Sequence, residues 1–226
     1  MESRDQQIYG RLLRLPLFQG MSREELTELI GHTRLSFVRH EAGTVIYDEG
    51  QPCEAMTFLL GGRATLISHS DSHSYRVEEE LPAPALLPPE NLFGLSQCQA
   101  HTCQATTACD LLMLSKADVL RLTEHYGIFR SNLLNIIATR AQRLARRPWH
   151  DHPQSVRHKI GRFLSERCLY PTGAKCFHIK MQQLATAIGE SRLQVSRELH
   201  AMERDGLIAH ARGCIRVWAM ERIEVF

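Results

Sequence analysis

The segment that most constrains the fold is LATAIGESRLQVSRELHAMERDGLIAHARGCIRV, which spans residues 184–217. Its apolar residues recur at the spacing of two short helices that each bury one face, and Gly189 separates the two helices. Ser191 is placed to cap the second helix by accepting hydrogen bonds from its first free N–H groups. The pattern predicts a helix-turn-helix. Its buried face comprises Leu184, Ala185, Ile188, Val195, Leu199 and Met202.

A β-hairpin is predicted directly after these helices. The apolar pair Leu207-Ile208 and the alternating run at 214–217 flank a turn at Arg212-Gly213. A helix pair followed by a hairpin is a winged helix. The side of the second helix that faces away from the core carries Leu193, Gln194, Arg197 and His200.

Charge divides the chain into two parts. Residues 139–226 contain 16 Lys and Arg against 8 Asp and Glu, whereas residues 1–138 contain 11 against 17. A basic region of this kind suits phosphate neutralisation with release of counterions. The helix pair has two interpretations, a DNA-binding element or an all-helical packing module, and the charge favours DNA.

Length and composition indicate the broad class. A chain of 226 residues can form one large or two modest domains, and charge and pattern favour two. No apolar run reaches the roughly 20 residues that span a bilayer, and the segment MESRDQQIYG has no apolar stretch of signal-peptide type, so we expect a cytosolic protein without a membrane partner. Seven cysteines without a CxxC pair favour reduced thiols over a disulfide framework.

The first hundred residues predict a short helix and then strands. Ser22 and Glu25 form a capping box that opens a helix through about Ile30. Runs at 38, 45–47, 57–60 and 65–67 are rich in β-branched and aromatic residues, which predicts a β-barrel or roll. The glycines between the runs favour turns with positive φ. The alternative, a phosphate-binding loop, lacks a GxGxxG or GxxxxGK motif.

Two helices are predicted after the strands. Ser115 and Asp118 suggest a second capping box, for a helix that stops near Tyr126-Gly127, and a longer helix follows from about Ile128 to Arg146. Its apolar stripe either packs on the barrel of its own chain or joins two chains. We favour a dimer helix, because helix-turn-helix proteins that read operators usually bind as two-fold dimers. The predicted dimer contacts are Leu133, Ile136, Ile137, Arg140 and Leu144.

The segment RPWHDHPQ, residues 147–154, predicts a hinge, and an amphipathic helix from Val156 to about Leu169 predicts the start of the second domain. The sequence therefore predicts an α+β protein. An N-terminal β-roll with flanking helices occupies residues 1–127, a dimerisation helix residues 128–147, and a winged helix-turn-helix residues 148–226.

This order of parts resembles the cAMP receptor protein/FNR family of bacterial transcription regulators over nearly the whole chain. The resemblance lies in EAGTVIYDEGQPCEAMTFLLGGRATL of the roll and LATAIGESRLQVSRELHAMERDGLI of the helix-turn-helix. It implies a jelly-roll domain like those that bind cyclic nucleotides, and a homodimer in which an effector repositions two recognition helices on a DNA operator. An activator of this kind would also contact RNA polymerase.

The segment that would hold a cyclic nucleotide departs from the family pattern. In cyclic-nucleotide binders of the family, Phe-Gly-Glu supplies a carboxylate to the ribose, and an Arg-Ser or Arg-Thr pair about ten residues later binds the phosphate. Here Phe93-Gly94 is followed by Leu95, and the Arg-Ser pair falls near Gln99-Ala100. An alternative alignment that uses residues 83–87 also lacks a carboxylate. We expect these effector-pocket residues not to hold cAMP, because the phosphate loses its guanidinium partner.

The segment PAPALLPPENL is similar to the family's hybrid-cluster-protein regulators, which are associated with nitrosative stress and linked to haem. This implies a redox or nitric-oxide signal. Imidazole and thiolate both ligate haem iron. Alternatively, the histidines are solvated polar side chains, and Cys103 and Cys109 are core residues. An FNR-type iron–sulfur cluster would need cysteines near the N-terminus, and the first is Cys53. The candidate ligands are His69, His73, His101, Cys98 and Cys103.

The resemblance places the start of the recognition helix at residues 191–197. Its third position is commonly Glu in the family and is Leu193 here, which suits a thymine methyl. Gln194 could pair with adenine and Arg197 with guanine. The alternative to a regulator is an enzyme or small-molecule binding protein with a helical tail, but HExxH and GxSxG motifs are lacking. The predicted DNA contacts are Ser191, Arg192, Leu193, Gln194, Ser196, Arg197 and, in the wing, Arg212.

Overall fold

The computed structural model describes residues 4–146, 149, 153 and 155–223. In these residues the helices are α1 (Arg4–Leu12), α2 (Arg23–His32), α3 (Lys116–His125), α4 (Gly127–Arg146), α5 (Val156–Glu166), α6 (Met181–Ile188) and α7 (Arg192–Arg204). The strands are β1 (Ser36–His40), β2 (Val45–Tyr47), β3 (Ala55–Gly61), β4 (Arg63–His69), β5 (Arg76–Pro82), β6 (Ala85–Leu86), β7 (Thr102–Ala105), β8 (Cys109–Ser115), β9 (Lys175–His178), β10 (Ile208–Ala211) and β11 (Cys214–Val217). The predicted α+β fold class is confirmed.

The chain divides into two compact units. Unit 1 comprises Met1–Ala64 and Pro82–Arg146, and unit 2 comprises Thr65–Leu81 and Arg147–Phe226. Most of β4 and all but the last residue of β5 therefore pack with the C-terminal residues, although they lie in sequence between parts of unit 1.

Unit 1 is built on an antiparallel sheet with the strand order β1-β8-β3-β6, and β2 pairs with β7. Its core is aromatic at the centre: Phe18 lies 5.6 Å from Phe58 and 5.4 Å from Phe129, measured between ring centroids. Leucines from α2, α3 and β8 complete the same cluster. Since Phe129 belongs to α4, one face of that helix is committed to the core of its own unit.

Local signals start and end these elements as predicted. Ser22 Oγ accepts from the backbone N–H of Glu25, whose carboxylate accepts from Ser22, so the capping box of α2 is confirmed. Ser115 caps α3 by accepting from the N–H of Asp118. Gly62 has φ +86°, and a Cβ there would lie 2.2 Å from the carbonyl oxygen of Ala108, so only glycine fits this turn.

Unit 2 combines a helical layer with an antiparallel sheet. Within the unit the strand order is β10-β11-β9-β5-β4. Residues Val77, Glu79 and Leu81 of β5 face inward, and this strand pairs directly with β9. The core beneath the sheet joins Phe163 and Ile160 of α5 to apolar residues of α6 and α7. The sequence analysis predicted neither β5 nor β9.

The predicted hinge at 147–154 lies outside the described residues, apart from Trp149, which is exposed, and Pro153. The next helix, α5, ends at Glu166, three residues before the predicted end. Among the helices described, none combines the length and the apolar composition that crossing a bilayer requires.

Candidate nucleic-acid interface

The helix-turn-helix forms as predicted. Gly189 ends α6 in the left-handed conformation with φ +70°, and the N–H of Glu190 donates to Ala185 O at 3.0 Å. Ser191 then caps α7, and Val195, Leu199 and Met202 are buried against α5 and α6. The opposite face of α7 is consequently held outward.

The first turn of α7 contains a contact that the sequence analysis missed. Ser191 Oγ accepts from the N–H of Gln194 at 3.2 Å, and Gln194 Oε1 accepts from the N–H of Ser191, also at 3.2 Å. This is a complete capping box. A bidentate contact to adenine needs both ends of the amide. Gln194 therefore offers a base only its NH2 group unless the cap opens.

Besides Gln194, three further side chains at the start of α7 face solvent. Arg192, Leu193 and Arg197 are exposed, with 61 % of Leu193 accessible, whereas Ser196 is half-buried. Within the described ranges neither arginine forms an ion pair. Arg192 is the first residue of α7, where the free backbone N–H groups and the positive end of the helix dipole also favour phosphate.

A groove of about 740 Å³ separates the start of α7 from the β10–β11 hairpin, which is the wing. Arg212 at the wing turn and Arg192 line it, together with Lys180 just before α6. Three cations around one concave surface fit a phosphate backbone. Lys180 was not predicted as a contact. The sequence could have indicated this contact, because Lys180 lies immediately before a helix and within the basic region.

Ion pairs fix the orientation of α7 within unit 2. Arg157 of α5 donates to Glu198 and to Asp205, both at 2.6 Å, and these hydrogen bonds raise the pKa of the guanidinium. Lys159 pairs with Glu190 beside the turn. Glu203 accepts from the backbone N–H of His210 at 3.1 Å, which joins α7 to the wing. Recognition helix and wing are thus held in one arrangement.

The predicted dimer stripe of α4 requires a correction. Leu133 is buried in the core of unit 1, and Ile136 and Ile137 pack half-buried against that core. Arg140 donates to Glu90 at 2.5 Å in the same unit. Leu133 therefore packs in the core of its own unit, whereas a dimer contact through the rest of the stripe stays a prediction. Of the five predicted contacts, only Leu144 is exposed.

Leu95, Gln99 and Ala100 do not form a charged pocket. Leu95 is fully exposed, and Ala100 is also exposed. Gln99 is buried, and its backbone exchanges hydrogen bonds with Gly50 and Gln51 at 2.8 and 2.7 Å. None of these three side chains carries the carboxylate or guanidinium that a cyclic nucleotide would need.

The candidate haem ligands are divided between the two units. Cys103 is completely buried in the core of unit 1, and this burial raises the pKa of its thiol to about 12. His69 and His73 stack on each other in unit 2 with ring centroids 5.0 Å apart, whereas Cys98 and His101 belong to unit 1. The interpretation of Cys103 as a core residue is supported.

Comparison with known proteins agrees with this architecture. Residues 37–126 match the family model of the cyclic nucleotide-binding domain, and residues 158–226 match that of the Crp-like helix-turn-helix domain. The chain is 25% identical over 207 residues to the cyclic AMP receptor protein of Thermus thermophilus, covering 89% of this chain and 92% of the relative. It is 24% identical to the cAMP-activated global transcriptional regulator Vfr of Pseudomonas aeruginosa over 84% of this chain and 91% of the relative.

The fold has a solved counterpart. The crystal structure of the Thermus thermophilus catabolite activator protein superimposes with a TM-score of 0.52 at 22% identity, covering 89% of this chain and 93% of that chain. These matches do not confirm the hybrid-cluster-protein regulator subgroup. With an N-terminal region that matches the cyclic nucleotide-binding domain and a C-terminal region that matches the Crp-like helix-turn-helix domain, the chain is similar in its domain order to transcription regulators of the CRP type.

Proposed function

We propose that this protein is a homodimeric regulator that inserts α7 into the major groove of an inverted-repeat operator in response to an effector other than a cyclic nucleotide. The observation that carries the proposal is the exposed start of α7, where Arg192 and Arg197 lack ion-pair partners in the described residues and Arg192 lines the basic groove. Half-site centres would lie about one helical turn, ~34 Å, apart.

Base reading is assigned to Leu193 and Arg197. Leu193 offers apolar contact to a thymine methyl, and Arg197 can donate two hydrogen bonds to guanine O6 and N7. Arg192 and the wing residue Arg212 would contact phosphates, which position the protein without reading sequence. Contact with RNA polymerase is part of the proposal where the outcome is activation.

Selection of binding sites from randomised duplexes tests this assignment. The wild-type chain should select an inverted repeat, and Arg197→Ala should relax one base pair of each half-site at a cost of ~1–3 kcal/mol. Arg212→Ala is the matched control, since it removes one cation from the same domain and should lower the affinity for all sequences alike. An unchanged motif with Arg197→Ala would reassign this residue to phosphate.

The dimer is assigned to the exposed face of α4. Leu134 is 60 % accessible, and Ala138, Ala141 and Ala145 continue its row at spacings of four, three and four residues. That heptad spacing is typical of helices that pack side by side. At 3.6 residues per turn the row lies about a third of a turn around the helix from Leu133, which is in the core, so α4 can serve both contacts.

The proposed effector is not tied to haem, because the candidate ligands are divided between the two units. A redox or nitric-oxide signal therefore rests only on the similarity of PAPALLPPENL to one subgroup. The changes at Leu95, Gln99 and Ala100 support an effector without the ribose and phosphate of cAMP. We expect the effector to bind in unit 1, which comprises Met1–Ala64 and Pro82–Arg146 rather than the predicted residues 1–127.

A further inference from the structure

Two thiols, an imidazole and a carboxylate converge on the face of the unit 2 sheet that is turned away from its core. Cys176 Sγ lies 3.2 Å from Cys214 Sγ and 3.5 Å from His178 Nε2. Glu78 Oε1 lies 3.0 Å from the same His178 nitrogen. All four side chains are partly accessible, so an ion can reach them from solvent.

The sheet itself brings these groups together. Glu78 of β5 stands opposite Cys176 of β9, which stands opposite Arg216 of β11. Cys176 and His178 are two residues apart, and side chains at that spacing share one face of a strand. Cys214 lies two residues before Arg216 on that same face. Three paired strands therefore supply the four groups, and the arrangement does not depend on a flexible loop.

The geometry suits a tetrahedral metal site. With Zn–S near 2.3 Å and Zn–N near 2.0–2.1 Å, tetrahedral ligands are separated by about 3.8 Å between sulfurs and about 3.6 Å between sulfur and nitrogen. The thiol–imidazole distance of 3.5 Å already matches, and the two sulfurs would separate by about half an ångström. The three ligand atoms lie within 4.8 Å of one another.

The ligand types select the metal. Mg²⁺ and Ca²⁺ prefer oxygen ligands, whereas two thiolates and an imidazole suit Zn²⁺. We propose that Cys176, His178 and Cys214 bind one Zn²⁺ ion per chain, with the Glu78 carboxylate as fourth ligand. The site goes beyond the proposed DNA-binding function. Because Cys214 directly follows the Arg212-Gly213 turn, the ion would join the wing to β9 and β5.

A disulfide is the competing chemistry for two neighbouring thiols. Cys176 and Cys214 are diagonal neighbours in the ladder, and such residues have Cα atoms about 7–8 Å apart. Disulfides usually span Cα separations of about 4.4–6.8 Å, so a bridge here would require the strands to shift. A bound metal ion requires a smaller backbone shift, because the two sulfurs then lie on either side of the ion and not within a single S–S bond length.

Metal titration of the reduced, full-length protein tests the site. Zn²⁺ in competition with a chromophoric chelator should bind at one equivalent per chain, and Co²⁺ should give thiolate charge-transfer bands with intense tetrahedral d–d bands. Cys176→Ser and Cys214→Ser should each weaken binding by at least about 100-fold, and Glu78→Gln by about 10-fold. Cys98→Ser is the matched control, since it removes an exposed thiol of unit 1 and should change nothing.

Three results would overturn the proposal. These are a Co²⁺ complex without thiolate bands, Zn²⁺ affinity that survives both cysteine substitutions, and a Cys176–Cys214 disulfide found by mass spectrometry in protein purified without reductant. The Co²⁺ spectrum is measured on the wild-type chain, so the test does not depend on whether the variants fold.

Discussion

The carboxylate of Glu79 lies 3.0 Å from the ammonium group of Lys175, and both side chains are completely buried. The carboxylate also accepts hydrogen bonds from the backbone N–H groups of Leu169 and Tyr170, at 2.7 and 3.1 Å. The pair joins β5 to β9 in the interior of unit 2. A buried carboxylate is tolerated when it has a counter-ion and accepts hydrogen bonds in this way.

Breaking this pair should destabilise the protein strongly. Lys175→Met leaves Glu79 buried without its counter-ion and should lower the free energy of unfolding of unit 2 by about 3–5 kcal/mol. The double variant Glu79→Leu, Lys175→Met should recover part of that loss. Urea unfolding followed by circular dichroism measures both. Arg39→Ala, which removes an exposed pair with Asp110, is the control and should cost less than about 1 kcal/mol.

The wing arginine should act through phosphate. Arg212→Ala removes one cation from the groove, so the slope of log K against log salt for random duplex should become less negative by about 1. Fluorescence anisotropy across a salt series measures the slope. Arg39→Ala, which lies in unit 1, should leave it unchanged. A base-specific loss with an unchanged slope would mean that Arg212 reads sequence.

The two faces of α4 should respond differently to charge. Leu134→Asp places a carboxylate on the exposed row and should give a folded monomer, because pairing would bury an unpaired charge. Ile136 lies on the face of α4 that packs against the core. Ile136→Asp should therefore destabilise unit 1, lowering its free energy of unfolding by about 1–3 kcal/mol. Sedimentation velocity and thermal unfolding separate the effects. A Leu134→Asp dimer would move the interface elsewhere.

Cyclic nucleotides should bind negligibly. Leu95, Gln99 and Ala100 offer no carboxylate for the ribose and no guanidinium for the phosphate. Calorimetry at millimolar cAMP or cGMP should show no saturable heat. Saturable binding in the micromolar range would mean that other residues of the roll hold the nucleotide.

The cysteines of unit 1 should differ sharply in reactivity. Cys98 is exposed, whereas Cys103 is fully buried with its pKa raised to about 12 by desolvation. Since the thiolate is the nucleophile, iodoacetamide at pH 8 should label Cys98 rapidly and Cys103 only after unfolding. Peptide mapping by mass spectrometry reads both sites. Equal labelling in the native state would place Cys103 outside the core.

The parts of the fold that the sequence predicted are those determined by interactions between neighbouring residues. Ser22, Ser115 and Ser191 cap helices through contacts three residues away, and Gly189 ends α6 by its own backbone conformation. Such interactions involve only neighbouring residues, so the sequence displays them directly. The helix-turn-helix is built almost entirely from them, which is why its bounds were predictable.

The features that the sequence did not predict depend on contacts between residues that are far apart in the sequence. The run Arg-Val-Glu-Glu-Glu-Leu reads as polar, and only Lys175, on a distant strand, makes a buried Glu79 acceptable. The α4 helix carries apolar residues on two faces, and the sequence does not show which face its own core takes. The metal cluster also needs strand register, because β5, β9 and β11 each contribute ligands.

Unit 2 is discontinuous in the chain, because it contains Thr65–Leu81 in addition to the C-terminal residues. During synthesis β5 leaves the ribosome before β9, because β5 comes earlier in the chain. It can therefore pair with β9 only after the C-terminal residues have been made. A gene fragment that begins at residue 147 would encode the complete helix-turn-helix but lack β5, and its Lys175 would enter the interior without a counter-charge. We therefore expect a fragment cut at residue 147 to be less stable than the full chain, because it lacks the strand that supplies Glu79.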